Sequence, residues 1–100
     1  MYLIIWEYQV KPQHLTAFTS IYASDGAWAM LFQQSKEFLG TELLRDEGNV
    51  YQLITLDRWT SSEAHEEFMT NFQIEYKKLD AECEGMTERE RLIGRYVLPA

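Results

Sequence analysis

VYQLITLDRW (residues 50–59) runs without a break into TSSE (60–63), and from there apolar residues recur at helical spacing as far as Cys83. The first part reads as a strand. Tyr51, Leu53 and Trp59 share one face, and Val50, Ile54 and Leu56 share the other. An edge strand with one wet face alternates cleanly between apolar and polar residues, so this strand is expected between two apolar layers. Thr60 and Glu63 have the spacing of a capping box, in which hydroxyl and carboxylate satisfy the free amides of a helix start. The stripe Ala64, Phe68, Phe72, Tyr76, Leu79, Cys83 then advances in steps of four or three, which places one face of a single long helix on the sheet.

Working outward in both directions completes the order. Tyr2 to Val10 is the first strand, with Tyr2, Ile4, Trp6, Tyr8 and Val10 on one face, and Lys11-Pro12 stops it. Pro12 suits the first turn of a helix bearing Leu15, Phe18, Ile21 and Tyr22. Ser24-Asp25-Gly26 interrupts that helix and offers Asp25 as the N-cap of a second, short one carrying Trp28, Leu31 and Phe32. Phe38 to Asp46 is the second strand, with Gly40 inside it as a bulge or close approach. Asp46 to Asn49 turns a hairpin into the strand beginning at Val50. Gly85 ends the long helix, residues 87–90 form a loop or a single helical turn, and Arg91 to Leu98 is the last strand. The order is β-α-β-β-α-β in one domain spanning residues 1–100: an α+β, ferredoxin-like antiparallel sheet with its helices on one face. The uncovered face keeps apolar side chains, and an apolar patch of that size is normally an interface. A homodimer through the open face of the sheet is therefore expected.

The totals restrict the function. One hundred residues make one core, and the 46% hydrophobic and 14% aromatic content excludes a disordered chain. A net charge of −7 argues against nucleic acid and against an anionic membrane, both of which require a basic face. Cys83 has no partner for an internal disulfide and lies on the apolar stripe, where it reads as a buried, inert thiol. The apolar run Tyr2 to Trp6 is short and follows no basic segment, so it is neither a signal peptide nor a membrane span. A soluble, cytoplasmic protein is expected. Two histidines far apart and one cysteine offer no metal-ligand spacing, and no glycine-rich phosphate loop is present, so neither a metal nor a nucleotide cofactor is expected.

With the topology in place, the chain resembles the antibiotic-biosynthesis-monooxygenase-like family of the dimeric α/β-barrel superfamily. The resemblance rests on Val10-Lys11-Pro12, Gly26-Ala27-Trp28 with Leu31-Phe32, Phe38-Leu39-Gly40-Thr41-Glu42-Leu43-Leu44, and Asp57-Arg58-Trp59-Thr60-Ser61 leading to Glu63-Ala64-His65 and Phe68. It implies a homodimer forming a dimeric α/β barrel, with a ligand cavity between the helices and the sheet of each subunit. Members differ widely in chemistry. The haem-degrading branch uses an asparagine on the first strand, a tryptophan ending the third, and an axial histidine in the next helix. Trp59 stands where that tryptophan would, but the first strand has no asparagine, and Phe68 and Met69 stand near where the axial ligand belongs. Haem is disfavoured on those residues. The quinone-forming branch oxidises aromatic polyketides with O₂ and no cofactor; Trp59 again matches, and its asparagine is again missing.

A cofactor-free oxygenase needs a base, a donor facing the developing oxyanion, and an aromatic wall. His65, Trp59 and Tyr22 are the candidate catalytic residues, and Trp28, Phe32, Tyr76 and Arg58 the candidate ligand-binding ones. Each has a plainer alternative: core packing for the tryptophans, core rings with solvated hydroxyls for the tyrosines, and a surface position for His65. The helix start beside His65 should lower its pKa and keep it neutral. Asp57 and Arg58 fall on opposite faces of the third strand, so one of them must reach a cavity, the dimer interface or an ion pair. A working site calls for roughly 300 Å³ or more with convergent polar groups, and a non-catalytic dimeric binding or accessory protein for an interior filled by the chain's own rings.

Overall fold

A computed structural model describes residues 1–99. The elements run β1 (Tyr2–Val10), a 3₁₀ turn (Pro12–His14), α1 (Leu15–Tyr22), α2 (Ala27–Phe32), β2 (Phe38–Arg45), β3 (Gln52–Trp59), α3 (Ser62–Asn71), α4 (Gln73–Cys83) and β4 (Thr87–Val97). The strands form one antiparallel sheet in the order β2-β3-β1-β4. This is the expected ferredoxin-like α+β architecture, and within the chain the sheet is open rather than closed into a barrel. Tyr2, Ile4, Tyr8 and Val10 of β1 and Leu53 and Trp59 of β3 are buried in one core with Phe18, Tyr22, Trp28, Phe32 and Phe68 of the helices. On the opposite face Leu3, Ile5, Ile54 and Leu56 stay partly exposed. Among the described residues no helix is long and apolar enough to cross a membrane.

Several local expectations change. The turn extends past Asn49, whose side chain accepts from the Tyr51 amide (3.0 Å) while Asp46 accepts from Gly48 (2.9 Å), so β3 begins at Gln52 rather than Val50. The N-cap of α3 is Ser61, not Thr60: Ser61 is extended, and its Oγ accepts from the Ala64 amide at 3.1 Å. Thr60 instead donates its hydroxyl to the Glu37 carboxylate. The long helix is two, meeting at Phe72 (φ −117°, ψ 28°), although the Phe72 and Tyr76 amides still reach the Phe68 and Phe72 carbonyls at 2.9 Å. Just before the kink, the Thr70 hydroxyl bonds back to the Glu66 carbonyl (3.1 Å), a contact that bends helices.

The cap of α2 is Gly26 rather than Asp25, because a Cβ at Gly26 would lie 2.3 Å from the Ile21 carbonyl oxygen as α1 folds back on α2. Residues 87–90 are strand, not loop: Thr87, Arg89 and Glu90 pair with Val10, Gln9 and Tyr8, which gives the end of β1 a partner. Gly40 does mark an irregularity, with φ +118° at a register shift against β3. Gly85 (φ +91°) does follow the end of α4, where no side chain beyond hydrogen is comfortable.

Candidate functional site

Strand parity aims six side chains from the sheet into the space beneath the helices. Trp6 and Tyr8 of β1, Thr41 of β2, Thr55 and Asp57 of β3, and Glu90 of β4 form the floor of a cavity of about 180 Å³. Tyr22 of α1, Trp28 and Phe32 of α2, and Tyr76 and Asp80 of α4 form its roof. The volume falls below the roughly 300 Å³ expected of a working site, and an engineered cavity of ~150 Å³ already holds benzene. The space therefore suits a single ring with a short substituent. It is not filled by the chain's own rings, and polar groups converge on it.

Asp57 is the central one. The register sets it opposite Ile4 on β1 and Thr41 on β2, so the Thr41 hydroxyl donates to its Oδ1 at 2.6 Å. Burial pushes its pKa up to about 6, against the lowering effect of that hydrogen bond. A carboxylate with that value is ionised at neutral pH yet basic enough to accept a proton. Tyr8 shares a hydrogen bond of 3.3 Å with Thr55, and burial holds its hydroxyl and that of Tyr22 far above the ordinary tyrosine range. Burial and the neighbouring Asp80 push Tyr76 up to about 12. All three phenols stay protonated and serve as donors. Burial, then Asp80, also raises Glu90. The buried indole N–H of Trp28 finds no hydrogen-bond partner among the described residues.

Of the residues expected to form the site, Tyr22, Trp28, Phe32 and Tyr76 do line this cavity. Trp59, His65 and Arg58 lie elsewhere. Trp59 is fully buried in the core, packed against Phe38 (5.1 Å between centroids), Phe68 (5.3 Å) and Phe32 (5.6 Å). His65 is half-buried against Trp59 (5.3 Å) and Tyr2 (6.0 Å). Its pKa does fall, to about 4, but through burial first and the Arg95 guanidinium second rather than through the helix start. A histidine that weakly basic, outside the cavity, is no base for a ligand in it. Arg58 points to the open face and pairs with Glu42 at 2.7 Å, because its parity is opposite to that of Asp57. One of the adjacent pair was expected to reach a cavity, the dimer interface or an ion pair; Asp57 reaches the cavity, and Arg58 is in an ion pair. What sequence reading missed is which one matters: Asp57 shares its parity with buried Leu53 and Trp59, and a lone carboxylate on that face was the available signal.

No protein-family description matches the sequence, and no curated protein matches it. Solved structures do. A variant of SnoaB, a cofactor-independent oxygenase from Streptomyces nogalater, superimposes with a TM-score of 0.74 at 17% identity, covering 99% of this chain and 93% of that one. A Nitrosomonas europaea protein proposed as an antibiotic biosynthesis monooxygenase gives 0.70 at 14% identity, covering 97% of each chain. A Deinococcus radiodurans protein proposed for the same role gives 0.72 at 10% identity, covering 100% of this chain and 94% of that one. At such identities the likeness establishes a common fold: this chain has the fold of the antibiotic biosynthesis monooxygenases.

Proposed function

We propose that the chain is a member of that monooxygenase family which binds a small, single-ring aromatic molecule between sheet and helices and oxidises it with O₂ without a cofactor. The observation that carries the reading is the Asp57 carboxylate at the floor of a small aromatic cavity, flanked by protonated tyrosine hydroxyls. An electron-rich phenol needs nothing further to react. Asp57 takes the phenolic proton, and the ring, now electron-rich enough, transfers electrons to O₂. One oxygen atom becomes a new ring carbonyl. The other leaves as water with the two hydrogens lost from the O–H and from one ring C–H. Phenol plus O₂ gives quinone plus water, and the four electrons come from the substrate alone. Tyr8 and Tyr76 stand as donors for developing negative charge, and the roof of Trp28 and Phe32 excludes water.

A second reading, binding without turnover, has its own observation. Asp80 and Glu90 bring two more carboxylates to the same cavity, and negative charge opposes the phenolate that oxidation requires. Haem is a distant third, since a 180 Å³ space is far too small for a porphyrin and His65 does not face it. Oxygen-electrode assays with methyl- and methoxy-substituted phenols discriminate the first two. Uptake of one O₂ per quinone formed, unaffected by chelators, is the expected result. Saturable binding with no uptake across the panel would leave the binding reading in place.

The protein is further proposed to work in the cytoplasm as a homodimer joined through the open sheet face. Leu44, opposite Ile54, and Tyr96, opposite Leu3, are exposed on that face, and Leu3, Ile5, Ile54 and Leu56 add partly covered apolar surface. Light scattering should return twice the 11.8 kDa chain mass; a monomer at micromolar concentration would contradict it.

A further inference from the structure

The charge lining the cavity is of one sign. Asp57, Asp80 and Glu90 contribute three carboxylates, and among the described residues no lysine, arginine or histidine lines the space. They are spread around its lining: among the described residues no three acidic, cysteine or histidine side chains gather closely enough to hold a metal ion. Asp57 carries the strongest signal. Thr41 occupies its Oδ1, while no hydrogen bond among the described residues reaches its Oδ2. The remaining wall is aromatic. Trp28 meets Tyr76 at 5.0 Å and 60°, and Phe32 at 5.7 Å and 35°, so ring faces and edges enclose the space from several directions.

Ring faces and carboxylates have one kind of ligand in common. The quadrupole of an aromatic face attracts a cation, tryptophan most strongly, and a carboxylate in a desolvated cavity is stabilised by one. We infer that the cavity selects an aromatic ammonium ion, a single ring carrying a short protonated amine, over neutral or anionic aromatics of the same size. The inference rests on the reading of this cavity as an aromatic-binding site, and it adds the charge of the ligand. Arg95, on the cavity side of the sheet opposite Ile4, donates to the Tyr2 hydroxyl at 3.0 Å and does not line the space.

The approach is acidic as well. An adjoining surface groove shares Tyr22, Asp80 and Glu90 with the cavity and adds Glu84, Glu88 and a single cation, Arg89. A field of that sign concentrates cations at the mouth and repels carboxylates. It also settles how the site could tolerate a phenol as substrate. An ammonium group on the same ring offsets the carboxylate charge that otherwise opposes the phenolate.

Three probes of matched size test the inference: 2-phenylethylamine, 2-phenylethanol and phenylacetate, titrated into the whole protein at pH 7 and low salt by calorimetry and tryptophan fluorescence. The amine is expected to bind about tenfold or more tighter than the alcohol, as one cation–π contact and one desolvated charge pair would give. Phenylacetate is expected to bind more weakly than either. Glu90→Gln and Asp80→Asn, both at exposed positions where folding is not at stake, should each weaken the amine several-fold and leave the alcohol unchanged. If the alcohol or the acid binds as tightly as the amine, charge selection is wrong while the aromatic site stands. If all three fail to bind, the cavity is no aromatic site and both readings fall together. If the two variants weaken amine and alcohol alike, the carboxylates are structural and the inference is overturned.

Discussion

Replacing Trp59 with alanine is expected to destabilise the fold by about 3–5 kcal/mol. The ring is fully buried at the end of β3, and it holds Phe32, Phe38, Phe68 and His65 at centroid distances of 5.1–5.6 Å. Deleting it leaves a void beneath α3 that neighbours from three different segments, α2, β2 and α3, cannot close together. A domain of this size loses about 4–8 °C in Tm per kcal/mol, so a fall of roughly 12–40 °C is expected in a thermal scan. Trp59→Phe should cost far less, under about 1.5 kcal/mol. The indole N–H of Trp59 is buried with no hydrogen-bond partner among the described residues, and phenylalanine removes that donor along with part of the volume. Because Trp59 does not line the cavity, the phenylalanine variant should bind aromatic ligands as before. A loss below about 1 kcal/mol for alanine, with ligand binding abolished, would instead place the ring on the cavity wall.

Asp57→Asn is expected to move stability and activity in opposite directions. The folded protein holds the Asp57 proton to about pH 6, against an ordinary value of 3.8. Between those two values the folded state binds more protons than the unfolded one. Stability therefore falls as pH rises through the window, and the penalty is complete above pH 6. Asparagine keeps the cross-strand hydrogen bond from Thr41 and carries no charge to desolvate. The variant should match the wild type near pH 4 and exceed it by on the order of 1–3 kcal/mol at pH 7.5, read from urea midpoints at both values. Loss of the base should lower O₂ uptake at least a hundredfold. Stability given up at a cavity-facing carboxylate is the signature of a site kept for function rather than for folding. An asparagine variant less stable at pH 7.5 than the wild type would make Asp57 a structural group.

How much of this was legible beforehand can be judged residue by residue. The order of elements along the chain, the broken first crossover, the bulge glycine at position 40 and the buried thiol of Cys83 all follow from local pattern and turn chemistry, and all are in place. The kink at Phe72 was not legible, since the apolar stripe passes through it without losing its period and no proline or glycine marks it. The strand character of residues 87–90 was hidden as well. Thr-Glu-Arg-Glu has weak strand propensity, and only the unpaired end of β1 explains why it is extended. The roof of the site was readable because aromatic residues at helical spacing must face the sheet. Its floor was not. Thr41, Thr55 and Asp57 become neighbours only through the register of β2 on β3, and Glu90 joins them only through pairing that the sequence does not announce.

The chain has three tryptophans, and they report on the cavity separately. Trp6 and Trp28 line it, and Trp59 is core beyond its wall. The most direct measurement is a ¹H–¹⁵N spectrum of the three indole groups, assigned with single Trp→Phe variants, during titration with a single-ring aromatic ligand such as 2-phenylethylamine. Saturable shifts of the Trp6 and Trp28 signals, with Trp59 nearly still, are the predicted result. No shift at any of the three, or a shift confined to Trp59, would contradict a ligand site between sheet and helices.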